Sequence, residues 1–353
     1  MTTSRPFTQT LNNMTITSQE ELILEAIKIP SENDPKKPEF PPDNPRFPST
    51  PTFKINVPGI TNVWLKDESV NPTGTHKDRM AWEMVVTYRN LLLAKSVGVV
   101  SELPQMSIIS SGSSAIAVQS MLKKYRLPNL KALTDPHLEK RVKIYLQRIG
   151  CEVYETDLYR RALDTEDILR LTDNIGGIDI TSNEALGPFD VFYDWMSYEI
   201  LNIDADWVFI PYGTGNLYEN IVNIAQREAS KLTVHDRRLT GSARKIGQCH
   251  FIGATTNNPN SIAEKLYSPH LPFVHLDLNW ISLTKRKGHI GSRSRVAVVR
   301  EEFLQEAMFI AGMNKINAEP SGIAGLAMLL QIKDELKPTD KKLVINTGQV
   351  IYD

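Results

Sequence analysis

Cysteine is scarce in this sequence. Its 353 residues include only Cys151 and Cys249, which lie far apart and form neither a CxxC pair nor the spaced cysteine and histidine pattern of a zinc site. This scarcity argues against a disulfide framework and against a cysteine-based metal centre. We therefore predict two reduced thiols in the core of a cytoplasmic protein that has no bound metal.

Long apolar runs and an excess of one charge are also missing. No segment approaches the roughly 20 apolar residues that cross a bilayer, and residues 1–13 lack the apolar centre of a signal peptide. The 40 basic residues nearly balance the 41 acidic ones, for a formal net charge of −1. This balance argues against partners such as nucleic acid or a membrane surface. The length allows two domains that share one site.

The N-terminal part differs in composition from the rest of the chain. Residues 30–51 contain eight prolines, which predicts an extended segment. A capping box at residues 18–21 predicts one short helix that ends near Ile27. We interpret residues 1–50 as a polar, proline-rich arm. A disordered linker and an arm that lies along the body or a partner subunit both remain open.

From about residue 105, short apolar strands alternate with helical patterns. Residues 107–109 predict a strand, and apolar residues at helical spacing follow within 115–125. Asp135-Pro136 predicts the first turn of another helix, and Gly150 predicts its end. Strands that alternate with helices predict an α/β fold with a parallel sheet and right-handed crossovers.

The most distinctive stretch is Lys66–Arg79, with the sequence KDESVNPTGTHKDR. An apolar strand pattern at 62–65 precedes it, and a helical pattern at 80–86 follows. Asn71-Pro72-Thr73-Gly74 predicts a turn between them. Lys77 then falls in the first turn of the helix, where the helix dipole disfavours a positive charge. A neutral amine there is suited to covalent bonding with a carbonyl carbon.

This stretch resembles the lysine motif of the fold-type II pyridoxal 5′-phosphate (PLP) enzymes, the tryptophan synthase β-like superfamily. Threonine synthases are most similar, followed by cysteine synthases. The resemblance implies that Lys77 is the catalytic residue and holds the cofactor as a Schiff base. It implies a two-domain α/β fold whose parallel or mostly parallel sheets are flanked by helices. It also implies a small amino-acid substrate and a homodimer.

A glycine-rich loop follows the apolar strand pattern at 207–210. Its glycines allow backbone N–H groups to converge on an anion at the start of a helix. A Walker A lysine is missing, which disfavours a nucleotide-binding protein. The resemblance implies that the loop binds the cofactor phosphate through Gly213, Thr214, Gly215, Asn216 and Leu217. His76 is either one more phosphate donor or a histidine packed at a helix start.

A serine-rich loop lies at another predicted strand-to-helix junction, and it lacks the Gly-x-Ser-x-Gly pattern of a hydrolase elbow. Hydroxyls and amides at a helix start suit a carboxylate, although an ordinary helix cap has the same residues. The resemblance implies a substrate carboxylate site at Ser110, Ser111, Gly112 and Ser114. The resemblance also makes Ser113 a cofactor-binding residue, and here the loop departs from the family, because the shorter serine replaces an asparagine that contacts the cofactor ring.

Two further motifs follow in the family's order. Glu319-Pro320-Ser321-Gly322 predicts a helix start and is similar to a Glu-Pro motif near the cofactor. Asn346-Thr347-Gly348 resembles the C-terminal Thr-Gly of the family, which implies that the Thr347 hydroxyl faces the cofactor's pyridine nitrogen. A neutral hydroxyl there leaves this nitrogen unprotonated, which suits elimination and replacement better than transamination.

Residues 285–295 concentrate basic and hydroxyl side chains. Such a run is usually a solvated loop. The alternative is a pocket for an acidic or phosphorylated substrate, with Arg293 and Arg295 as substrate-binding residues.

Together these motifs predict a larger PLP-binding domain, made of residues 51–100 plus 188–353, and a smaller mobile domain, residues 101–187, with the serine loop. The leading function is threonine synthase-like elimination and replacement on an O-phosphorylated amino acid. The alternatives are cysteine synthase-type β-replacement and a serine/threonine dehydratase or ammonia-lyase. The Ser113 substitution keeps open a PLP-binding relative without turnover.

Overall fold

The computed structural model describes residues 47–96, 98–181, 192–235, 246–267 and 294–352. Several predictions from the sequence lie outside these residues. They are the short helix that ends near Ile27, most of the proline-rich arm, and the basic run up to and including Arg293.

The described residues form ten strands and eight α-helices. The strands are β1 Thr52–Lys54, β2 Val63–Asp67, β3 Met106–Ile109, β4 Lys131–Thr134, β5 Glu152–Glu155, β6 Ile178–Asp179, β7 Trp207–Pro211, β8 His250–Thr255, β9 Ser294–Val298 and β10 Lys342–Asn346. The helices are α1 Lys77–Ser96, α2 Ser113–Lys124, α3 Lys140–Ile149, α4 Thr165–Leu171, α5 Asp194–Leu201, α6 Asn216–His235, α7 Glu301–Met313 and α8 Ala324–Gln331.

The larger sheet has six strands in the order β1-β2-β10-β7-β8-β9. Only β1 runs antiparallel, and β10 lies parallel between β2 and β7. Asn346 at the end of β10 is opposite Asp67 at the end of β2. The carboxyl ends of parallel strands therefore meet at one edge, where open α/β sheets bind their ligands.

The smaller sheet contains four parallel strands in the order β5-β4-β3-β6. The serine loop follows β3 at the carboxyl end of this sheet. The predicted α/β fold, with mostly parallel sheets flanked by helices, is confirmed.

Two hydrophobic cores hold these layers together. One joins α1, α2, α5 and α6 with strands of both sheets, and the other lies between the larger sheet and helices α7 and α8. Alternate residues of β7 serve the two cores: Val208 packs in the first and Phe209 in the second. Helix α8 approaches the sheet closely, because a Cβ added to Gly325 would lie 2.6 Å from the Phe209 carbonyl oxygen.

The structure corrects one predicted helix start. Helix α3 begins at Lys140 rather than at Pro136, because Asp135 Oδ1 accepts a hydrogen bond from the backbone N of His137 and closes a turn first. Its predicted end is confirmed, since Gly150 adopts the left-handed conformation at the C-cap with φ +109°. Helix α4 begins after Asp164, whose side chain accepts a hydrogen bond from the Asp167 backbone N, and it ends at Leu171.

Both cysteines are buried as free thiols. Across the described ranges, no helix has the length and apolar character needed to cross a membrane.

Candidate active site

The lysine stretch forms a tightly closed loop at the carboxyl edge of the larger sheet. Asp67 Oδ1 accepts hydrogen bonds from the Ser69 backbone N at 3.0 Å and from Asn346 Nδ2 at 2.9 Å. The backbone N and the hydroxyl of Thr73 donate to Asp78 Oδ2 at 2.9 and 2.8 Å. These bonds fix the turn before Lys77 starts α1. Burial raises the pKa of Asp78 to about 6.

Three motifs meet backbone to backbone beside this loop. A Cβ on Gly348 would overlap the Gly74 carbonyl oxygen, and a Cβ on Gly322 would overlap the Gly348 carbonyl oxygen. Gly74 and Gly348 also have positive φ values, +83° and +90°, which favour glycine. The lysine loop, the Glu-Pro motif and the terminal Thr-Gly therefore form one cluster.

The amine of Lys77 faces a buried tyrosine. Lys77 Nζ donates a hydrogen bond to Tyr193 Oη at 3.1 Å, and the His76 ring lies 5.4 Å from the Tyr193 ring between centroids. The His76 backbone N donates to the Thr347 carbonyl oxygen at 3.1 Å, and Nδ1 lies 3.4 Å from the same oxygen. Burial, with the Lys77 charge, lowers the pKa of His76 well below its ordinary value. The imidazole is therefore neutral.

The neutral ring of His76 bears on its predicted role. A carbonyl oxygen only accepts, so in the contact with Thr347 the proton sits on Nδ1. Nε2 is then left as an acceptor, which does not suit a phosphate. The proton is placed on Nδ1 by this contact with the Thr347 carbonyl oxygen. The placement favours the prediction of a packed histidine over that of a phosphate donor.

The glycine-rich loop lies at the end of β7 and leads into the long helix α6. Gly215 has φ +92°, and a Cβ on Gly213 would lie 2.8 Å from the Lys265 carbonyl oxygen. The first N–H groups of α6 have no partners within the helix, and the helix dipole favours an anion there. Asn216 Oδ1 is buried and has no hydrogen-bond partner among the described residues. The loop, with Thr214 and Leu217, fits the phosphate of the predicted cofactor.

The residues around Lys265 connect this loop to the Glu-Pro motif. Lys265 Nζ lies 2.5 Å from Glu319 Oε2, and the Lys265 backbone N donates to Ser321 Oγ at 3.2 Å. The Thr347 hydroxyl lies 3.5 Å from the Gly322 carbonyl oxygen. The glycine loop, the Glu-Pro motif and Thr347 thus surround the same region as Lys77.

The serine loop leads from β3 into α2 on the smaller sheet. Ser110 is buried, and its Oγ accepts hydrogen bonds from the backbone N of Gly112 at 3.0 Å and of Ala115 at 3.1 Å. Gly112 has φ +124°. Ser113 and Ser114 begin α2 and are partly exposed, whereas Ser111 is exposed. The Ser110 hydroxyl therefore shapes the loop, and the first turn of α2 presents N–H groups for an anion.

The structure does not bring Arg295 to this cluster. Arg295 is near the amino end of β9, an edge strand, and its guanidinium donates to both carboxylate oxygens of Glu335 at 2.9 and 2.7 Å. The site motifs all lie at the carboxyl ends of strands. Arg293, its predicted partner in substrate binding, lies outside the described residues.

A buried ionic network supports the lysine loop. Arg79 donates to Glu68 Oε2 at 2.7 Å and to Glu199 Oε2 at 2.9 Å. Lys66 Nζ donates to Glu199 Oε2 at 2.5 Å and to the Thr50 carbonyl oxygen at 2.7 Å. The network holds two cations and two anions. It ties both ends of the lysine loop to α5.

The pKa values within this network follow from its charges. Burial opposes ionisation of Glu68 and Glu199, yet Arg79 and Lys66 hold the pKa of both carboxyls below its ordinary value. Burial lowers the pKa of Lys66 in spite of its two acidic neighbours. The carboxylates are therefore ionised where the network is intact.

Sequence reasoning missed Tyr193 and Glu199. Both contacts span more than 100 positions, since 116 residues separate Lys77 from Tyr193 and 120 separate Arg79 from Glu199. The charged residues Lys66, Glu68 and Arg79 lie within the lysine stretch, so the sequence pointed to this part of the network. No motif marked the residues of α5.

Helix α5 is also attached to the glycine-loop helix. Asn220 Nδ2 donates to Asp194 Oδ1 at 2.7 Å, and Ser197 Oγ donates to Asn220 Oδ1 at 2.5 Å. Helix α5 therefore joins the lysine loop to α6, the helix that follows the glycine-rich loop. Glu83 of α1 is buried and interacts with Asp194; burial, with the Asp194 charge, raises the pKa of Glu83 to about 8.

Glu83 should make the stability of the protein fall as the pH rises. Its ordinary value is 4.5, so between that pH and about 8 the folded state keeps a proton that the unfolded chain has released. Glu83→Gln should raise the free energy of unfolding by about 4 kcal/mol more near pH 9 than near pH 5. Urea titrations at both pH values measure this difference. The same exchange at exposed Glu306 should show no such pH dependence, and an equal gain for Glu83→Gln at both pH values would contradict the assignment.

Comparison with known proteins shows the family to which the chain belongs. The sequence model of a family described as "Pyridoxal-phosphate dependent enzyme" matches residues 47–348. No curated protein matches the chain in sequence.

Several solved structures have a similar fold. O-ureido-L-serine synthase is 17% identical over 85% of this chain and 89% of its own, with a TM-score of 0.60. A pyridoxal 5′-phosphate-dependent aspartate racemase is 15% identical over 95% of this chain and 96% of its own, also at 0.60. The O-acetylserine dependent cystathionine β-synthase from Helicobacter pylori is 14% identical over 96% of both chains, at 0.56. At these identities the likeness shows a shared fold.

Proposed function

The chain belongs to the family of pyridoxal-phosphate dependent enzymes, and on that premise we propose that it catalyses elimination and replacement on an O-phosphorylated amino acid, as threonine synthases do. Pyridoxal 5′-phosphate is its cofactor, and small amino acids are its substrates. The observation that carries the proposal is the position of Lys77. Its amine lies at the start of α1, beside Tyr193 and next to the cluster of glycine backbones.

The proposed cofactor contacts come from three parts of the chain. The glycine loop and the first turn of α6 hold the phosphate, because N–H groups and the helix dipole favour an anion there. Lys77 Nζ would make the covalent attachment, and the Thr347 hydroxyl would be the neutral partner of the ring nitrogen. The bound cofactor supplies an electron sink that stabilises negative charge on the substrate's α-carbon.

In this proposal the chain's own residues supply the general base, orient the substrate and exclude water from the site. Lys77 Nζ takes the α-proton of the substrate as general base. The first turn of α2 binds the substrate carboxylate through the N–H groups of Ser113 and Ser114, while Ser110 holds the loop in shape. Movement of the smaller domain, residues 101–187, toward the larger one closes the cleft against water.

The phosphorylated leaving group and the homodimer rest on the resemblance of the motifs. Arg295 gives the leaving group no support, since it pairs with Glu335 away from the cluster. Cysteine synthase-type β-replacement is the second candidate, because the loop between β7 and α6 is the short Gly213-Thr214-Gly215 form. Similar folds also include an ammonia lyase, the diaminopropionate enzyme from Escherichia coli.

A substrate screen on the PLP-loaded protein tests the proposal. O-phosphohomoserine, O-phosphoserine, O-acetylserine, serine and threonine are incubated separately, and released phosphate, acetate, ammonia and oxo acid are measured. We expect phosphate release and threonine formation from O-phosphohomoserine alone.

Each other result points to a different function. Acetate release from O-acetylserine with a thiol product supports the cysteine synthase-type alternative. Ammonia and oxo acid from serine or threonine support a dehydratase. A lysine-bound cofactor without turnover of any substrate supports a PLP-binding relative that is not an enzyme.

A further inference from the structure

Tyr193 contacts the amine of Lys77 in two ways. Its Oη lies 3.1 Å from Lys77 Nζ, and Nζ also lies 5.6 Å from the centre of its ring. The side chain is 2% exposed. A phenol oxygen and an aromatic face are both good partners for an ammonium group.

The surroundings leave the tyrosine ring little freedom. His76 lies on it at 5.4 Å, and Phe192 meets it edge to face at 6.3 Å, both between ring centroids. Its carbonyl oxygen accepts a hydrogen bond from the Ser197 backbone N at 2.8 Å, in the first turn of α5. Helix α5 is held in place through Glu199, which binds Lys66 and Arg79, and through Asp194, which binds Asn220. The Tyr193 hydroxyl is therefore a fixed point against which a flexible lysine is placed.

We propose that Tyr193 is the positioning residue for Lys77: it holds the amine when the cofactor does not, and it accepts a hydrogen bond from the ammonium that forms at Nζ. This inference rests on the proposed function. The proton moves from the substrate α-carbon to Lys77 Nζ, and the bonding electron pair stays on the substrate. Tyr193 contributes an oxygen lone pair and its ring face, and no bond to it forms or breaks.

The other titratable groups around Lys77 do not offer this contact. His76 is neutral, and its Nδ1 faces Thr347. Asp78 Oδ2 accepts two hydrogen bonds from Thr73, and Asp78 Oδ1 is buried with no hydrogen-bond partner among the described residues, Lys77 included. On α5, Asp194 is bound to Asn220 and Glu199 to Lys66 and Arg79. Glu83, two turns along α1, interacts with Asp194.

The test measures how fast PLP attaches to Lys77 in the PLP-free protein as a function of pH. Borohydride traps the attached cofactor, and peptide mapping locates it. Tyr193→Phe keeps the ring and removes the oxygen, so the ammonium is less stabilised and the neutral, reactive amine prevails at lower pH. We expect the rate profile to move to lower pH by about one unit. In the loaded enzyme, kcat should fall about tenfold with little change in KM.

Tyr88→Phe is the matched control. This tyrosine is also buried, and its hydroxyl donates to the Pro104 carbonyl oxygen at 2.7 Å, further along α1. It should leave the attachment profile unchanged, and circular dichroism confirms that both variants fold. If Tyr193→Phe and wild type give the same profile while both attach PLP at Lys77, the inference is wrong and the proposed function stands. If the wild-type protein attaches no PLP at Lys77, the proposed function is wrong, and the inference about Tyr193 is wrong with it.

Discussion

Replacing Lys77 with alanine is expected to abolish the visible absorption of lysine-bound PLP and to lower turnover by about 10³-fold or more. In the proposed function this amine is both the covalent attachment point and the general base. His76 is neutral and packed against Thr347 and Tyr193. The glycine-rich loop, the proposed phosphate site, is unchanged in this variant, so PLP should still bind without the covalent bond. Absorption spectra and equilibrium dialysis distinguish bound from attached cofactor.

Lys95→Ala is the control for this prediction. Lys95 is exposed near the end of the same helix, so it loses the same side chain without touching the site. The control should keep wild-type absorption and turnover. A Lys77→Ala protein that retains the absorption band, or that works as fast as the control, would show that another amine holds the cofactor.

Glu199→Gln is expected to destabilise the protein by about 3–5 kcal/mol. The exchange keeps the size of the side chain but leaves Lys66 and Arg79 with one carboxylate, Glu68, in a buried site. Removal of one partner from a buried ion network costs this much because the remaining charge is uncompensated. The midpoint of urea unfolding measures the loss.

Glu335→Gln provides a matched comparison, since Glu335 also pairs with an arginine through both oxygens. This pair is about half exposed, with side-chain exposures of 46% and 49%, so its loss should cost only about 0–1 kcal/mol. Equal losses for the two variants would contradict a structural role for the buried network. The depressed pKa of Glu199 adds a pH signature: its stabilisation is complete above the ordinary value of 4.5 and is lost in more acidic solution.

Much of the fold was predictable from the sequence because its signals are local. Apolar runs marked the buried strands, such as Trp207–Pro211, and turn residues marked several element ends, such as Gly150. The predicted helix start at Pro136 was wrong for an equally local reason. A cap residue followed by proline also makes a hydrogen-bonded turn, and only the side chain of Asp135 decides between the two.

The candidate site was predictable only where it lies on a motif. The lysine loop, the glycine loop and the terminal Thr-Gly are each short and contiguous. Tyr193 and Glu199 reach the site from a separate helix, and such contacts leave no pattern in the residues around them. Arg295 was predicted from the basic composition of its segment, and it does not lie at the site. Composition gives the charge of a residue but not its position, here near the amino end of β9.

The contact between the lysine loop and the terminal Thr-Gly has a consequence for folding. His76 and Thr347 are separated by 271 positions, so β10 enters between β2 and β7 only after almost the whole described chain has been synthesised. Contacts this distant form slowly, because a long loop must close first. Before β10 is inserted, β2 and β7 lack their shared neighbour, and an unpaired strand edge is prone to wrong pairing. Insertion of β10 closes this gap and brings Thr347 to His76 in the same event, so capture of the cofactor at the proposed site should coincide with the end of folding.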